Sequence, residues 1–255
     1  MFHKVEFLEK TNLVKTYISE IAPHSWRIFS NDPNHEDIKY YNEVGKYFGE
    51  DETKMIRVPQ KHSNNILVAS ENDGGSGIIR VEVDGAVDGI VTNVKKMVLC
   101  TVEADCTPVF ILDPINKAIG MVHSGWRGTV NKISENAIKL MCGNYGTKIE
   151  DLLIYFGPSI CGNCYKVDDD LIPEFKKILD ENEINQVLKK SDNFINNKKY
   201  LLDVTEAINL SLLKIGVKEN NIQRSKYCTY HDNLFSSWRR DRDNTKRMLT
   251  AVMLI

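Results

Sequence analysis

An α+β fold (mixed α/β), folded as a single domain over residues 1–255, is what this 255-residue chain predicts. Three observations point there. Strand-like segments come in runs, helical periodicity is confined to a few stretches between the later strands, and no repeat or linker-like tract divides the chain. A chain of this length buries a sizeable core without splitting.

The strands are short, rich in β-branched or aromatic residues, and bounded by turn formers. In order they are MIRVP (55–59), NILVAS (65–70), IIRVEV (78–83), MVLCTVEA (97–104), PVFILD (108–113), KAIGMVH (117–123), LLIYFGP (152–158), YLLDV (200–204) and RMLTAVMLI (247–255). Helices are expected over 128–142, where Ile133, Ala137, Leu140 and Met141 recur at helical spacing, and over 170–190 and 204–215. Loops are expected at 30–37, 71–77, 142–148 and 189–199, where Gly, Asn, Asp and Lys cluster.

Composition narrows the class of function. Hydrophobic residues make up 42% and charged residues 27%, as in ordinary globular proteins, and a net charge of −2 supplies no electrostatic footprint for nucleic acid. The basic run SSWRRDRDNTKR is diluted by its own aspartates. MFHKVEFLEK carries charges throughout, without the apolar stretch of a signal peptide, and no window is apolar enough to span a membrane. Six cysteines in that setting read as thiols of a reducing compartment, so a cytoplasmic protein is expected.

Candidate chemistry starts at a hairpin. LDPINKA is a strong turn signal, with Asp113 at the first position, Pro114 preset for the second and Asn116 at the fourth. If Asp113 faces Asn116, the same register sets Cys106 directly opposite His123, with Cβ atoms about 4.5–5.5 Å apart. Such a pair suits two ligands of one tetrahedral metal, but also a buried thiol beside a satisfied imidazole. Its neighbours are unusual for a core. Asp105 precedes the Cys, and HSGWRGT brings two glycines and Arg127 to the expected start of a helix, a favourable place for phosphate. Trp126 reads as packing. His62, in IRVPQKHSNNI and flanked by Gln60 and Ser63, would complete a three-ligand set, and three protein ligands leave a position open for substrate or water, as in catalytic zinc.

The blocks VPQKHS, DGIVT (88–92), EADCTPV, HSGWRGT, GPSI…CYKV (157–167), YCT…LFSSWRRD (227–241) and NTKR (244–247) follow one another in the order of a known family. Over about residues 55–255 the chain resembles the laccase-domain or polyphenol-oxidoreductase-type proteins, now regarded as zinc-dependent purine nucleoside phosphorylases. The resemblance implies zinc held by His62, Cys106 and His123, with copper as the alternative metal. It also implies two mixed β-sheets sandwiched between helices, and phosphorolysis of adenosine and inosine, with adenosine deamination and methylthioadenosine cleavage as further family activities. Purine nucleosides and phosphate would be its partners. The chain departs from the family in its first 50 residues, where HSWRIFSNDPNHEDIKYYNEV replaces a block with paired glycines, and at Lys166, where Glu is commoner.

On that reading Arg127 positions phosphate while the metal polarises or orients substrate. Asp105 carries a proton or steadies a ligand His, and Gln60 and Arg239 contact substrate or phosphate. Four other readings stand beside it. A multicopper laccase needs a dense set of imidazoles, whereas six His are scattered here without a His-x-His pair. A metal-free hydrolase would use Cys106 as nucleophile and His123 as base. A metal-binding regulator would turn over nothing. A cytidine-type zinc deaminase is disfavoured because its His-x-Glu signature is missing. CGNC (161–164), without a second pair or a neighbouring His in the sequence, reads as two loop thiols.

Overall fold

The computed structural model describes residues 1–22, 26, 37–191 and 200–255. Most of the loops expected at 30–37 and 189–199, and the histidines at 24 and 35, lie outside the described residues.

The strands in chain order begin with β1 (Phe2–His3), β2 (Val14–Ser19), β3 (Met55–Arg57), β4 (Ile66–Val68) and β5 (Gly89–Thr92). They continue with β6 (Val98–Glu103), β7 (Thr107–Asp113), β8 (Ala118–Ser124), β9 (Leu153–Phe156) and β10 (Lys166–Val167). The last are β11 (Leu188–Lys190), β12 (Tyr200–Leu202), β13 (Ile222–Arg224) and β14 (Met248–Leu254). The helices are α1 (Glu6–Glu9), α2 (Ile38–Phe48), α3 (Trp126–Val130) and α4 (Ile133–Tyr145), followed by α5 (Ile172–Phe175), α6 (Glu181–Val187), α7 (Val204–Lys214) and α8 (Trp238–Asp241).

Two mixed sheets stack face to face. One has the order β1-β2-β14-β6-β3 and the other β13-β9-β7-β8-β5-β4, and a small sheet β10-β12-β11 flanks them. Each is antiparallel at its centre, with parallel pairs at the edges: β3 on β6 in the first, β4 on β5 and β13 on β9 in the second. Between the sheets, Ile56, Leu99 and Val252 meet Phe110, Leu112, Ile119 and Met121. The outer face of the first sheet is covered by Ile38, Tyr41, Val44 and Phe48 of α2. On the far side of the second, α4 and α7 bring Ile133, Ala137, Ile138, Ala207 and Leu212 onto Val109, Ile111, Val122 and Ile154. The layers therefore run α/β/β/α. β7 and β8 lie between two apolar layers and are buried at every position, which is why they read as continuous apolar runs instead of alternating ones.

Several expected elements differ. IIRVEV forms no strand: Gly75 and Gly77 adopt positive φ, and the backbone curls so that only a Ser76–Arg80 bridge remains. The helix expected over 128–142 is two helices, α3 and α4, because Lys132 takes a left-handed conformation (φ 61°) between them. The segment 170–190 breaks into α5 and α6, and α6 starts anew at an Asp180–Glu183 capping box. α2 had no counterpart in the sequence reading. Its buried stripe is Ile38, Tyr41, Val44 and Phe48, spaced three to four residues apart among polar neighbours, and it stops at the left-handed Gly49.

The hairpin register also differs. Asp113 pairs with Ala118 and Pro108 with His123, so the residue aligned with Cys106 is two positions further along, Gly125. The Asp113 carboxylate accepts the backbone N–H groups of Ile115 and Asn116, both at 2.9 Å, which widens the loop to four residues. A two-residue shift keeps the same sheet face, so Cys106 and His123 still meet, diagonally.

Candidate active site

The stretch Gln60–Ser63 after β3 is wrapped around one carboxylate. Asp88, just before β5 and fully buried, accepts the backbone N–H groups of Lys61 at 3.0 Å, His62 at 2.8 Å and Ser63 at 2.7 Å, and the Ser63 hydroxyl at 2.8 Å. The loop can curl this tightly because Gln60 and His62 both adopt left-handed backbone conformations, with φ of 56° and 60°. From the end of β8, the His123 ring Nδ1 donates to the same carboxylate at 2.9 Å. Burial raises the Asp88 pKa, but these donors outweigh it and hold the group at about 2. An ionised carboxylate only accepts, so the proton sits on Nδ1 and Nε2 of His123 is left for other work.

That work is at Cys106. His62, Cys106 and His123 each present one donor atom, and the three atoms lie within 4.8 Å of one another. The Cys106 Sγ is 3.9 Å from His62 Nε2, and the imidazole rings stand edge to face with centroids 5.0 Å apart. Burial raises the Cys106 thiol pKa, yet the two imidazoles overcome it and bring the group down to about 6. Burial likewise opposes charge on His123, but the sulfur beside it and the Asp88 hydrogen bond push it up to about 10. Without a metal, thiolate and imidazolium hold one another in place. A thiolate and two imidazoles form a donor set matched to zinc or copper.

Gly125 makes room for this cluster. A Cβ there would lie 2.9 Å from Cys106 Sγ and 3.1 Å from His62 Cδ2, inside contact distance of both. The cluster sits in the wall of a pocket of about 380 Å³, whose aromatic surfaces are Trp126, Tyr165 and Trp238 and whose cations are Arg127, Arg239 and Arg247. Arg127 lies in the first turn of α3, which is too short for the helix-start role expected of it. Its guanidinium is laid over the Trp126 ring, 4.3 Å from the centroid. Arg239 lies over Tyr165 at 4.7 Å and donates from Nη1 to the Lys166 carbonyl at 2.6 Å. Its buried Nε meets no acceptor among the described residues.

Two expected roles are corrected. Gln60 does not face the pocket: its amide donates to the Val102 carbonyl at 2.7 Å and accepts the Val102 N–H at 2.9 Å, which ties the loop to β6. The carboxylate that steadies the His123 imidazole is Asp88 and not Asp105. Asp105, held at φ 85°, accepts the Thr229 hydroxyl and the Arg239 N–H, each at 2.6 Å, and so fixes the far wall of the pocket. Sequence reasoning missed Asp88, Tyr165, Trp238 and Arg247 as site residues, although they stood inside the blocks DGIVT, CYKV, LFSSWRRD and NTKR. A buried Asp directly before a strand is a signal that composition does not rank. The Cys161/Cys164 pair, expected to be two loop thiols, faces Cys228 and His231. No described residue before His62 lines the pocket.

Comparison with known proteins adds a family. The family model described as multi-copper polyphenol oxidoreductase laccase matches residues 29–255. The chain belongs to this laccase family. Within it, the chain is 30% identical over 226 residues to "Purine nucleoside phosphorylase YlmD" of Bacillus subtilis, covering 87% of this chain and 78% of that protein. It is also 30% identical over 208 residues to "Adenosine deaminase RL5" from an unknown prokaryotic organism, covering 80% and 76%. Among solved structures, the Bacillus licheniformis hypothetical protein YfiH superposes with a TM-score of 0.85 at 26% identity, covering 97% of this chain and 95% of that one. The laccase-family chain thus shares its fold with YfiH over nearly its whole length. No helix among its described residues is long and apolar enough to cross a membrane.

Proposed function

We propose that this chain is a zinc-dependent purine nucleoside phosphorylase acting on adenosine and inosine, with adenosine deamination as a second activity of the same site. The observation that carries the proposal is the convergence of His62, Cys106 and His123 in the wall of a pocket lined by aromatic rings and arginines. Relatives named for phosphorolysis and for deamination both support it.

Bound zinc would supply a Lewis acid that keeps a coordination position for substrate or water. The remaining work falls to the chain's own side chains. The three rings give a purine apolar surface on which to lie. Arg127 and the unengaged Nε of Arg239 present fixed donors to phosphate and hold it against the sugar. A phosphate oxygen then bonds to the anomeric carbon as the glycosidic C–N bond breaks. The bonding electron pair leaves with the purine, and the proton that the hydrogen phosphate gives up on becoming the ribosyl ester ends on the purine nitrogen. Asp105, with both oxygens already accepting, positions the Arg239 backbone and is not the group that moves this proton.

A metal-free Cys-His hydrolase has one specific observation in its favour, since Asp88, His123 and Cys106 form an acid–base–thiol chain. Such a chain leaves His62 without a role, whereas a three-ligand metal site uses all three. Multicopper oxidation would need more imidazoles than the two that converge here among the described residues.

Elemental analysis of the purified chain, paired with an assay for free base released from adenosine and inosine with and without phosphate, tests the proposal. Zinc at the site and phosphate-dependent base release are expected. Full activity in Cys106→Ala would end it.

A further inference from the structure

A second group of donors lies on the far side of the pocket wall. Cys161 and Cys164 sit between β9 and β10, where the N–H groups of Cys164 and Tyr165 fold back onto the Cys161 carbonyl at 2.9 and 3.2 Å. Cys228 and His231 follow β13 with the same two-residue spacing and the same fold-back: the N–H groups of His231 and Asp232 reach the Cys228 carbonyl at 3.1 and 2.8 Å. Both pairs are therefore single tight turns with a ligand-type side chain at each end.

The two turns are held face to face. Ser159 forms a bridge with Cys228, the Thr229 N–H donates to the Ser159 carbonyl at 3.0 Å, and the Cys161 N–H points at the Cys228 sulfur at 3.4 Å. Cys164 Sγ lies 3.3 Å from His231 Nε2, and one donor atom from each of the four residues lies within 4.8 Å of all the others. No disulfide joins these cysteines. A tetrahedron with bonds of about 2.3 Å to sulfur and 2.0 Å to nitrogen spaces its donors about 3.5–3.8 Å apart. The separations here, all within 4.8 Å, exceed that spacing by no more than about 1.3 Å. Three thiols and an imidazole this close have no better common partner than a thiophilic cation, and backbone N–H groups aimed at sulfur suit thiolates.

We propose that Cys161, Cys164, Cys228 and His231 form a second metal centre, a closed Cys₃His zinc site with a structural role. Four protein ligands leave no position for substrate, in contrast to the three at the first cluster. The ion would staple the loop that carries Ile160 and Tyr165 to the segment that leads into Trp238 and Arg239, so it holds one wall of the pocket. The link runs on to the first cluster. Thr229, next to ligand Cys228, donates to Asp105, and Asp105 precedes Cys106. This site does not depend on how the first one is read.

The test counts metal per chain in the reduced, full-length protein loaded with zinc. The expected stoichiometry is two, falling to one in Cys106→Ala/His123→Ala and to one in Cys164→Ser or His231→Ala. Cobalt(II) added to the Cys106→Ala/His123→Ala protein should give the intense visible absorption of tetrahedral thiolate coordination, and zinc should raise its Tm by several degrees. If the first cluster binds no metal, the wild-type count is one, removed by Cys164→Ser and untouched by Cys106→Ala, and this site still stands. His231 is exposed, so His231→Ala supplies a count from a folded protein where Cys164→Ser does not. A folded Cys106→Ala/His123→Ala protein that binds neither zinc nor cobalt overturns the proposal. So does a disulfide among these three cysteines in the protein as purified under reducing conditions, or metal retained in full by His231→Ala and Cys164→Ser.

Discussion

One oxygen of Asp88 serves two histidines at once: Oδ1 accepts the ring Nδ1–H of His123 at 2.9 Å and the backbone N–H of His62 at 2.8 Å. A single buried carboxylate therefore holds the ring of His123 and the backbone that carries His62. Asp88→Asn keeps the shape but replaces one accepting oxygen with a donor, so it should weaken metal binding about 10–100-fold, as loss of such partners does elsewhere. Competition against a calibrated chelator measures this. The variant should also lose an acid-stability slope. Asp88 is depressed to about 2, so its contribution is complete above the unfolded carboxylate value of about 3.9 and is lost as pH falls from there through about 2. Acid unfolding of wild type and Asp88→Asn, compared in the metal-free state, should differ in that window.

Gly125→Ala drives a methyl group to 2.9 Å from the Cys106 sulfur. Overpacking of this kind costs about 1–3 kcal/mol, so the chain should still fold while the ligand cluster is pried apart. Thermal unfolding should shift modestly and bound metal should drop sharply. Unchanged metal content would show that the cluster tolerates a wider spacing than its geometry implies.

In metal-stripped protein, Cys106 should alkylate as a thiolate well below the usual thiol range. Its folded-state pKa is lowered to about 6, against about 8.5 for an ordinary cysteine. The stabilisation from this ionised form is full above the ordinary value and fades as pH falls through 6. Iodoacetamide labelling followed by peptide mass spectrometry should give a midpoint near 6 for the Cys106 peptide, and saturating zinc should protect it.

Arg127→Ala should raise the phosphate KM about 10–100-fold with a smaller effect on kcat. A hydrogen bond to a charged group contributes about 1.5–3 kcal/mol, and each 1.4 kcal/mol is about a factor of ten. Arg127→Lys should rescue little, because a lysine restores the charge but not the planar fork stacked on Trp126. Initial rates against phosphate at saturating nucleoside decide it.

The sequence made the central strands and the converging His62, Cys106 and His123 legible, and it did so for different physical reasons. PVFILD and KAIGMVH are apolar at nearly every position because both of their faces are buried, so pattern alone locates them. His62 carried little signal alone, since a lone His after a strand has no periodicity, and it stood out only as the third partner of Cys106 and His123 and through the family blocks. Turn chemistry named Asp113 and Asn116 but not the loop length, and the pairing slipped by two residues. The Asp113 side chain satisfies two backbone N–H groups that a tighter turn would have used. IIRVEV failed as a strand because neighbouring glycines curl it, and a β-rich composition does not reveal that. The site partners that escaped notice, Asp88 and His231, act through contacts between residues far apart in the chain. For His231, the Cys-x-x-His spacing repeats that of Cys161 and Cys164, and it was the one local clue.

β14 (Met248–Leu254) lies between β2 and β6, so the first sheet has its last-made strand at its centre and not at its rim. During synthesis β6 has no neighbour on that side until the chain has grown past residue 254, and β2, made more than two hundred residues earlier, waits equally long. The bend that carries Cys106 springs from the end of β6. Ligand capture should therefore be a late event in biogenesis, and nascent chains halted short of Met248 would present two open sheet edges to any quality-control factor.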